Sequence, residues 1–126
     1  MCETPVIAIV DDDEAVRVAT GSLVRSLGYT AETYASAGDF LRACAEREPA
    51  CLITDVQMPG MSGVELQQSL IAAGHHLPVI FVTAFPTESV RARVLAAGAS
   101  GFLQKPCDGD TIIRSLQRAL AGRATA

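Results

Sequence analysis

Acidic residues carry the first chemical signal in this sequence. Asp11-Asp12-Asp13-Glu14 and Asp55 each follow a short apolar run, and two later runs are followed by Thr83-Ala84 and Lys105-Pro106. Two carboxylates about 4 Å apart repel by roughly 4 kcal/mol at an effective dielectric near 20. Asp11, Asp12 and Asp55 would therefore not crowd onto one edge without a cation. Carboxylates with no His or Cys favour a hard divalent ion, and a site that keeps several waters suits Mg2+ better than a closed Ca2+ cage. With Mg2+ and the Lys105 ammonium set against three carboxylates, the site is near neutral and can accept an anion. Thr83 adds a hydroxyl donor, and small Ala84 leaves room beside it. A phosphoryl group suits this set, because its transfer is catalysed largely by positioning and by cations on its oxygens. Asp55, at the end of a central run, is the expected nucleophile and would form an acyl phosphate.

The elements that must position these groups are legible in the hydrophobic period. Short apolar runs at residues 6–10, 29–34, 51–54, 79–82 and 101–104 read as strands. Between them, Val16, Leu23, Val24 and Leu27 share one helical face, as do Ile112, Ile113, Leu116 and Leu120 near the end. Gly28, Gly74, Gly98 and Gly122 stand where a helix needs a left-handed residue to stop. Helix starts are marked by Ser36, by the capping-box pattern Ser62-Gly63-Val64-Glu65 and by Asp108. The pattern is five βα repeats. Runs one, three and four are almost wholly apolar, as expected of parallel strands covered on both faces. This predicts an α/β fold, a doubly wound five-stranded parallel sheet, whose ligands bind beyond the carboxyl ends of the strands.

Composition bounds the rest. A chain of 126 residues, 49% apolar, forms one domain that needs neither metal nor disulfide to fold. Its apolar runs are far shorter than the ~20 residues that span a bilayer, and residues 1–5 lack the basic start and apolar core of a secretory signal. A soluble, cytoplasmic protein with no membrane association is expected. Cys2, Cys44, Cys51 and Cys107 form no C-x-x-C pair and read as packing thiols. A formal charge of −4 with 5% aromatics gives no footprint for direct nucleic-acid binding.

Taken together, the residues resemble a response-regulator receiver domain of two-component signalling. The chain looks most like the FixJ-type receivers in Val10-Asp11-Asp12-Asp13-Glu14 and in Thr54-Asp55-Val56-Gln57-Met58-Pro59-Gly60-Met61-Ser62-Gly63. The match covers residues 6–120, with the acidic pair, the D-x-x-M-P-G-x-x-G turn, the Thr-Ala and the Lys-Pro in order. The resemblance implies a CheY-like, flavodoxin-like (βα)5 fold with Asp55 as phosphoacceptor. It further implies that Asp12 and Asp55 ligate Mg2+ directly, Asp11 through water, with the backbone carbonyl of Gln57 completing the set. Lys105 would pair with the phosphoryl oxygens, Thr83 would move to hydrogen-bond one, and Phe102 would be the switch aromatic. A cis Lys105-Pro106 bond is implied too. The partners implied are a sensor histidine kinase, a downstream DNA-binding output domain missing from this chain, and a second copy. Phosphorylation would pair the two copies through the last two helices and the fifth strand, after rearrangement within residues 82–98.

Simpler readings compete at several positions. Asp13 and Glu14 are assigned to capping the first helix, and His75-His76 to a solvated loop. Met58-Pro59-Gly60 is first a tight turn, with glycine permitting a positive φ. Arg91 and Arg93 read as a solvated face. Bulky Phe85, two residues beyond Thr83, is expected to shield an acyl phosphate from water. A rival reading is a small Mg2+-dependent phosphohydrolase with Asp11 as nucleophile, Asp13 as acid and Asp108-Gly109-Asp110 as late acidic motif. It leaves Asp55 without a role, and a receiver that never accepts phosphate leaves the whole Asp11, Asp12, Asp55, Thr83 and Lys105 set unexplained. The chain is expected to be the receiver, residues 1–126, of a longer regulator, with a receiver that works alone by protein contact as the alternative.

Overall fold

The computed structural model describes residues 4–105 and 108–124. Five strands alternate with five helices: β1 (Val6–Val10), α1 (Glu14–Ser26), β2 (Thr30–Tyr34), α2 (Ala37–Glu46), β3 (Cys51–Asp55), α3 (Gly63–Ala72), β4 (Val79–Thr83), α4 (Glu88–Ala96), β5 (Gly101–Gln104) and α5 (Gly109–Ala124). The strands form one parallel sheet in the order β2-β1-β3-β4-β5.

The apolar runs explain this order. Side chains alternate across a strand, and two apolar layers result. Ala8, Val10, Leu52 and Phe81 pack with Phe40, Cys44, Leu66, Leu70 and Val94, so α2, α3 and α4 cover one face. Ile7, Ile9, Cys51, Ile53, Ile80 and Val82 pack with Val24, Ile112, Leu116 and Ala119, so α1 and α5 cover the other. The three runs that are apolar at nearly every position thereby occupy the three central strands.

Strand ends differ from the sequence reading in one consequential way. β3 and β4 each run one residue further than expected, so Asp55 and Thr83 belong to the strands themselves. Their backbones are fixed by the ladder, through register pairs such as Asp55 with Val82 and Thr83 with Gln104. At the other end β2 starts at Thr30, because the Tyr29 amide still donates to Val24 O at 3.4 Å and closes the turn after α1.

The punctuation is largely as read. Asp13, Ser36 and Ser62 cap α1, α2 and α3 through their side-chain oxygens, and Ser62 and Glu65 form the reciprocal capping box. Gly28, Gly74 and Gly98 follow their helices at φ 94°, 85° and 105°, and Gly60 turns at φ 78°. Gly122 stops nothing, since α5 runs through it to Ala124. A glycine inside a helix costs about 1 kcal/mol relative to alanine, too little to end a helix whose Ile112, Leu116 and Ala119 are buried on the sheet.

Cys44 and Cys51 are free and buried, and burial pushes the Cys51 thiol up to about 12. Cys2, Cys107 and the Lys105-Pro106 bond lie outside the described residues. His75 and His76 lie in a loop, as read, with His76 exposed; His75 is half-buried, and its Nδ1 stands 2.7 Å from Glu48 Oε2, tying together the connections that precede β3 and β4. Among the described residues no helix is long and apolar enough to cross a membrane.

Leu52, fully buried in a central strand, tests this packing. Leu52→Ala should cost about 2–5 kcal/mol of unfolding free energy. Val18→Ala, at an exposed position on α1, should change it by less than about 0.5 kcal/mol. Urea denaturation measures both.

Candidate functional site

β1 and β3 are neighbours, and the residues at their carboxyl ends meet. Ligand atoms of Asp11, Asp12 and Asp55 all lie within 4.8 Å of one another. Asp11 and Asp55 are buried, whereas Asp12 is exposed. Lys105 enters from the far side of β4. Its backbone amide donates to Thr83 O at 2.7 Å, which extends the β4–β5 ladder by one residue and aims the side chain across the edge. The ammonium stands 2.8 Å from Asp11 Oδ2 and 3.2 Å from Asp55 Oδ2. Four groups read separately along the sequence thus meet at one edge of the sheet.

The turns that hold the carboxylates are locally satisfied. Asp11 Oδ1 accepts from the Asp13 amide at 2.9 Å, and Asp55 Oδ1 accepts from the Gln57 amide at 3.3 Å. The β3–α3 turn closes with the Gly63 amide donating to Val56 O at 2.8 Å. A Cβ at Gly63 would collide with the Asp55 carbonyl oxygen. Only glycine lets α3 start this close to the acidic strand end.

Titration reflects the crowding. Burial, with the Asp11 charge adding to it, raises the Asp55 carboxyl above its ordinary 3.8, against the pull of Lys105. For Lys105 burial works downward, but the hydrogen bond and charge of Asp11, then the charge of Asp55, outweigh it and hold the ammonium above its ordinary 10.5. One cation faces three carboxylates, and the donors are all oxygen. This set fits a hard divalent cation, and Asp11, Asp12 and Asp55 would hold it.

Thr83 lies on β4 two residues after Phe81, so it shares the sheet face covered by α2, α3 and α4. Its Oγ1 accepts from the Phe85 amide at 3.1 Å, which leaves its own proton for another acceptor. Phe102 pairs in register with Phe81 and is half-buried against the same cluster, so the proposed switch residues occupy one face. Phe85 is 69% exposed. Asp13 is the α1 cap, as read. Asp108 accepts from the Thr111 amide at 2.7 Å, its carboxyl is lowered first by the Thr111 side chain and then by that amide, and Asp110 lies in the first turn of α5. The late acidic motif of the phosphohydrolase reading is therefore a helix start.

One residue of the site escaped the sequence reading. Arg17 Nη1 donates to the Asp11 backbone carbonyl at 2.7 Å. The available signal was an arginine one turn into a helix opened by Asp13, a spacing too common to single out.

A parallel five-stranded α/β sheet with buried carboxylates and a lysine converging on its carboxyl edge defines the receiver class of signalling modules. The chain belongs to the response regulator receiver domain family, whose model matches residues 7–117. It is 38% identical over 124 residues to the transcriptional regulatory protein FixJ of Azorhizobium caulinodans, covering 98% of this chain and 58% of that protein. It is 38% identical over 115 residues to the response regulator protein TmoT of Ectopseudomonas mendocina, covering 91% of this chain and 52% of that protein. The crystal structure of FixJ-N superposes with a TM-score of 0.86 at 31% identity, covering 96% of each chain. The chain spans a little over half the length of these two relatives.

The raised Asp55 carboxyl sets a pH dependence. A folded-state value above the unfolded one means the fold retains a proton that the unfolded chain gives up. Stability is therefore lost as pH rises from the ordinary 3.8 through the raised value. Asp55→Asn should melt at a higher temperature than the parent at pH 7 in chelator. The difference should vanish below the ordinary carboxylate range. Thermal melts followed by circular dichroism check both.

Proposed function

We propose that this domain is the phosphorylation-controlled receiver of a transcriptional response regulator, charged on Asp55 by a sensor histidine kinase. The observation that carries the reading is the Lys105 ammonium held between Asp11 and Asp55 at 2.8 and 3.2 Å. A cation on two buried carboxylates is already placed to receive phosphoryl oxygens. FixJ of Azorhizobium caulinodans is named a transcriptional regulatory protein, which supports a DNA-binding output domain elsewhere in the full regulator.

The chemistry follows from the named groups. A carboxylate oxygen of Asp55 attacks phosphorus in the kinase phosphohistidine. The new P–O bond forms as the P–N bond breaks, and the imidazole keeps the electron pair and takes up a proton. Asp12 and Asp55 directly, Asp11 through water, and the Gln57 carbonyl would hold Mg2+, which when bound would supply positive charge at the phosphoryl oxygens. Lys105 shifts from Asp55 to one phosphoryl oxygen. The Thr83 hydroxyl donates its free proton to another.

Phosphorylation replaces one negative charge by roughly two and adds acceptor oxygens, so Thr83 and Lys105 are drawn inward. Thr83 and Phe102 share the face covered by α4, and in this reading the half-buried Phe102 turns inward as Thr83 moves. The surface of α4, β5 and α5 then changes and pairs with a second copy. The domain itself makes no contact with DNA in this reading.

Acetyl phosphate with Mg2+ tests it. One phosphoryl group per chain should be trapped on Asp55, Asp55→Asn should take none, and the parent should shift to dimer by size-exclusion chromatography. Thr83→Ala should still be phosphorylated yet lose most of the dimer shift. Label on Asp11 with multiple turnover would instead support the hydrolase. A second prediction concerns lifetime: Phe85→Ser should raise the autodephosphorylation rate severalfold by admitting water, and an unchanged rate would remove Phe85 from that role.

A further inference from the structure

We infer that Arg17 is a positioning residue of the acidic site, fixing the peptide that carries Asp12 and so the affinity for the divalent cation. This rests on the reading of Asp11, Asp12 and Asp55 as its ligands. Asp12 is exposed, and among the described residues no hydrogen bond holds its carboxylate. Its direction therefore depends on the backbone on either side. The Asp11 amide donates to Tyr34 O at 3.2 Å, and the Asp13 amide donates to Asp11 Oδ1 at 2.9 Å. Asp13 then caps α1 by accepting from the Ala15 and Val16 amides.

Between these two anchors lies a single peptide plane, the carbonyl of Asp11 and the amide of Asp12. A peptide unit is planar, so the direction of its carbonyl fixes that of the next amide. Arg17 Nη1 donates to that carbonyl at 2.7 Å, a charge-assisted bond. The guanidinium is half-buried, and the Arg17 amide donates to Asp13 O at 2.9 Å within the first turn of α1. The helix thus holds the strand-to-helix turn through the Asp11 carbonyl, while Lys105 holds the Asp11 carboxylate.

Two physical effects of Arg17 have opposite signs, which makes the inference testable. Its positive charge beside an acidic cluster weakens cation binding through repulsion, so removing the charge alone would strengthen it. Its hydrogen bond orders a ligand-bearing turn, so removing that would weaken it. Loss of a partner that orients a ligand typically costs 10–100-fold in metal affinity. Under this inference positioning outweighs repulsion, and the two effects predict opposite changes in affinity.

The experiment is calorimetric titration of Mg2+ into the full chain and into Arg17→Gln, with circular dichroism melts in chelator. Arg17→Gln should bind Mg2+ roughly tenfold more weakly, and the amide NMR signals of Asp12 and Asp13 should shift in the metal-free protein. Arg17→Lys keeps the charge and part of the reach, and should recover part of the loss. Binding by Arg17→Gln as tight as or tighter than the parent's would overturn the inference. If that variant does not fold, Arg17→Lys takes the same criterion, and unfolding of both would make Arg17 a fold residue and overturn it too. A parent that binds no Mg2+ and takes no phosphoryl group would instead sink the proposed function.

Discussion

The ammonium of Lys105, held between the buried carboxylates of Asp11 and Asp55, is the interaction on which this edge of the molecule depends. Without it two like charges would face each other in a site largely screened from water, where repulsion is several times stronger than in bulk solvent. Its placement is a backbone matter. Lys105 is reached by one further rung of the β4–β5 ladder, from its own amide to Thr83 O at 2.7 Å. The backbone of Lys105 is therefore held by the parallel sheet that carries it.

That sheet is in turn the answer to the two apolar layers. β1, β3 and β4 can be apolar on both faces only if helices cover both, and the order β2-β1-β3-β4-β5 places those three strands in the middle. Because β1 and β3 are adjacent while their helices leave toward opposite faces, the edge beyond them is open, which is where such sheets bind ligands. The acidic turns line that opening. Polar groups drawn into the buried part are compensated: among the described residues no buried side-chain nitrogen or oxygen lacks a hydrogen-bond partner.

Much of this was legible along the chain, and two of the misses share a cause. Strand identity, three of the four helix stops and the caps at Asp13, Ser36 and Ser62 follow from local period and capping chemistry, which a sequence records directly. Asp11, Asp12, Asp55, Thr83 and Lys105 stood out because each closes an apolar run. Gly122 misled because a stop signal is local, whereas the helix through it is held by Leu116 and Ala119 packing on a distant sheet. The contact of His75 with Glu48 was missed for the same reason, since its partner lies 27 residues away. Arg17, only six residues from the Asp11 carbonyl, was missed because its spacing is too common to single out.

The sequence by itself determined the class of fold and the set of groups at the strand ends, because hydrophobic period, glycine conformation and side-chain capping act within a few residues. Only the tertiary structure decided that Lys105 bridges Asp11 and Asp55 and that Arg17 grips the peptide before Asp12. It also decided that Asp55 and Thr83 lie within their strands rather than after them. The Lys105 bridge and the strand ends depend on strand order and register, because parallel pairing joins residues tens of positions apart that no local pattern connects. The Arg17 contact spans only six residues, but the bend of the strand-to-helix turn decides it.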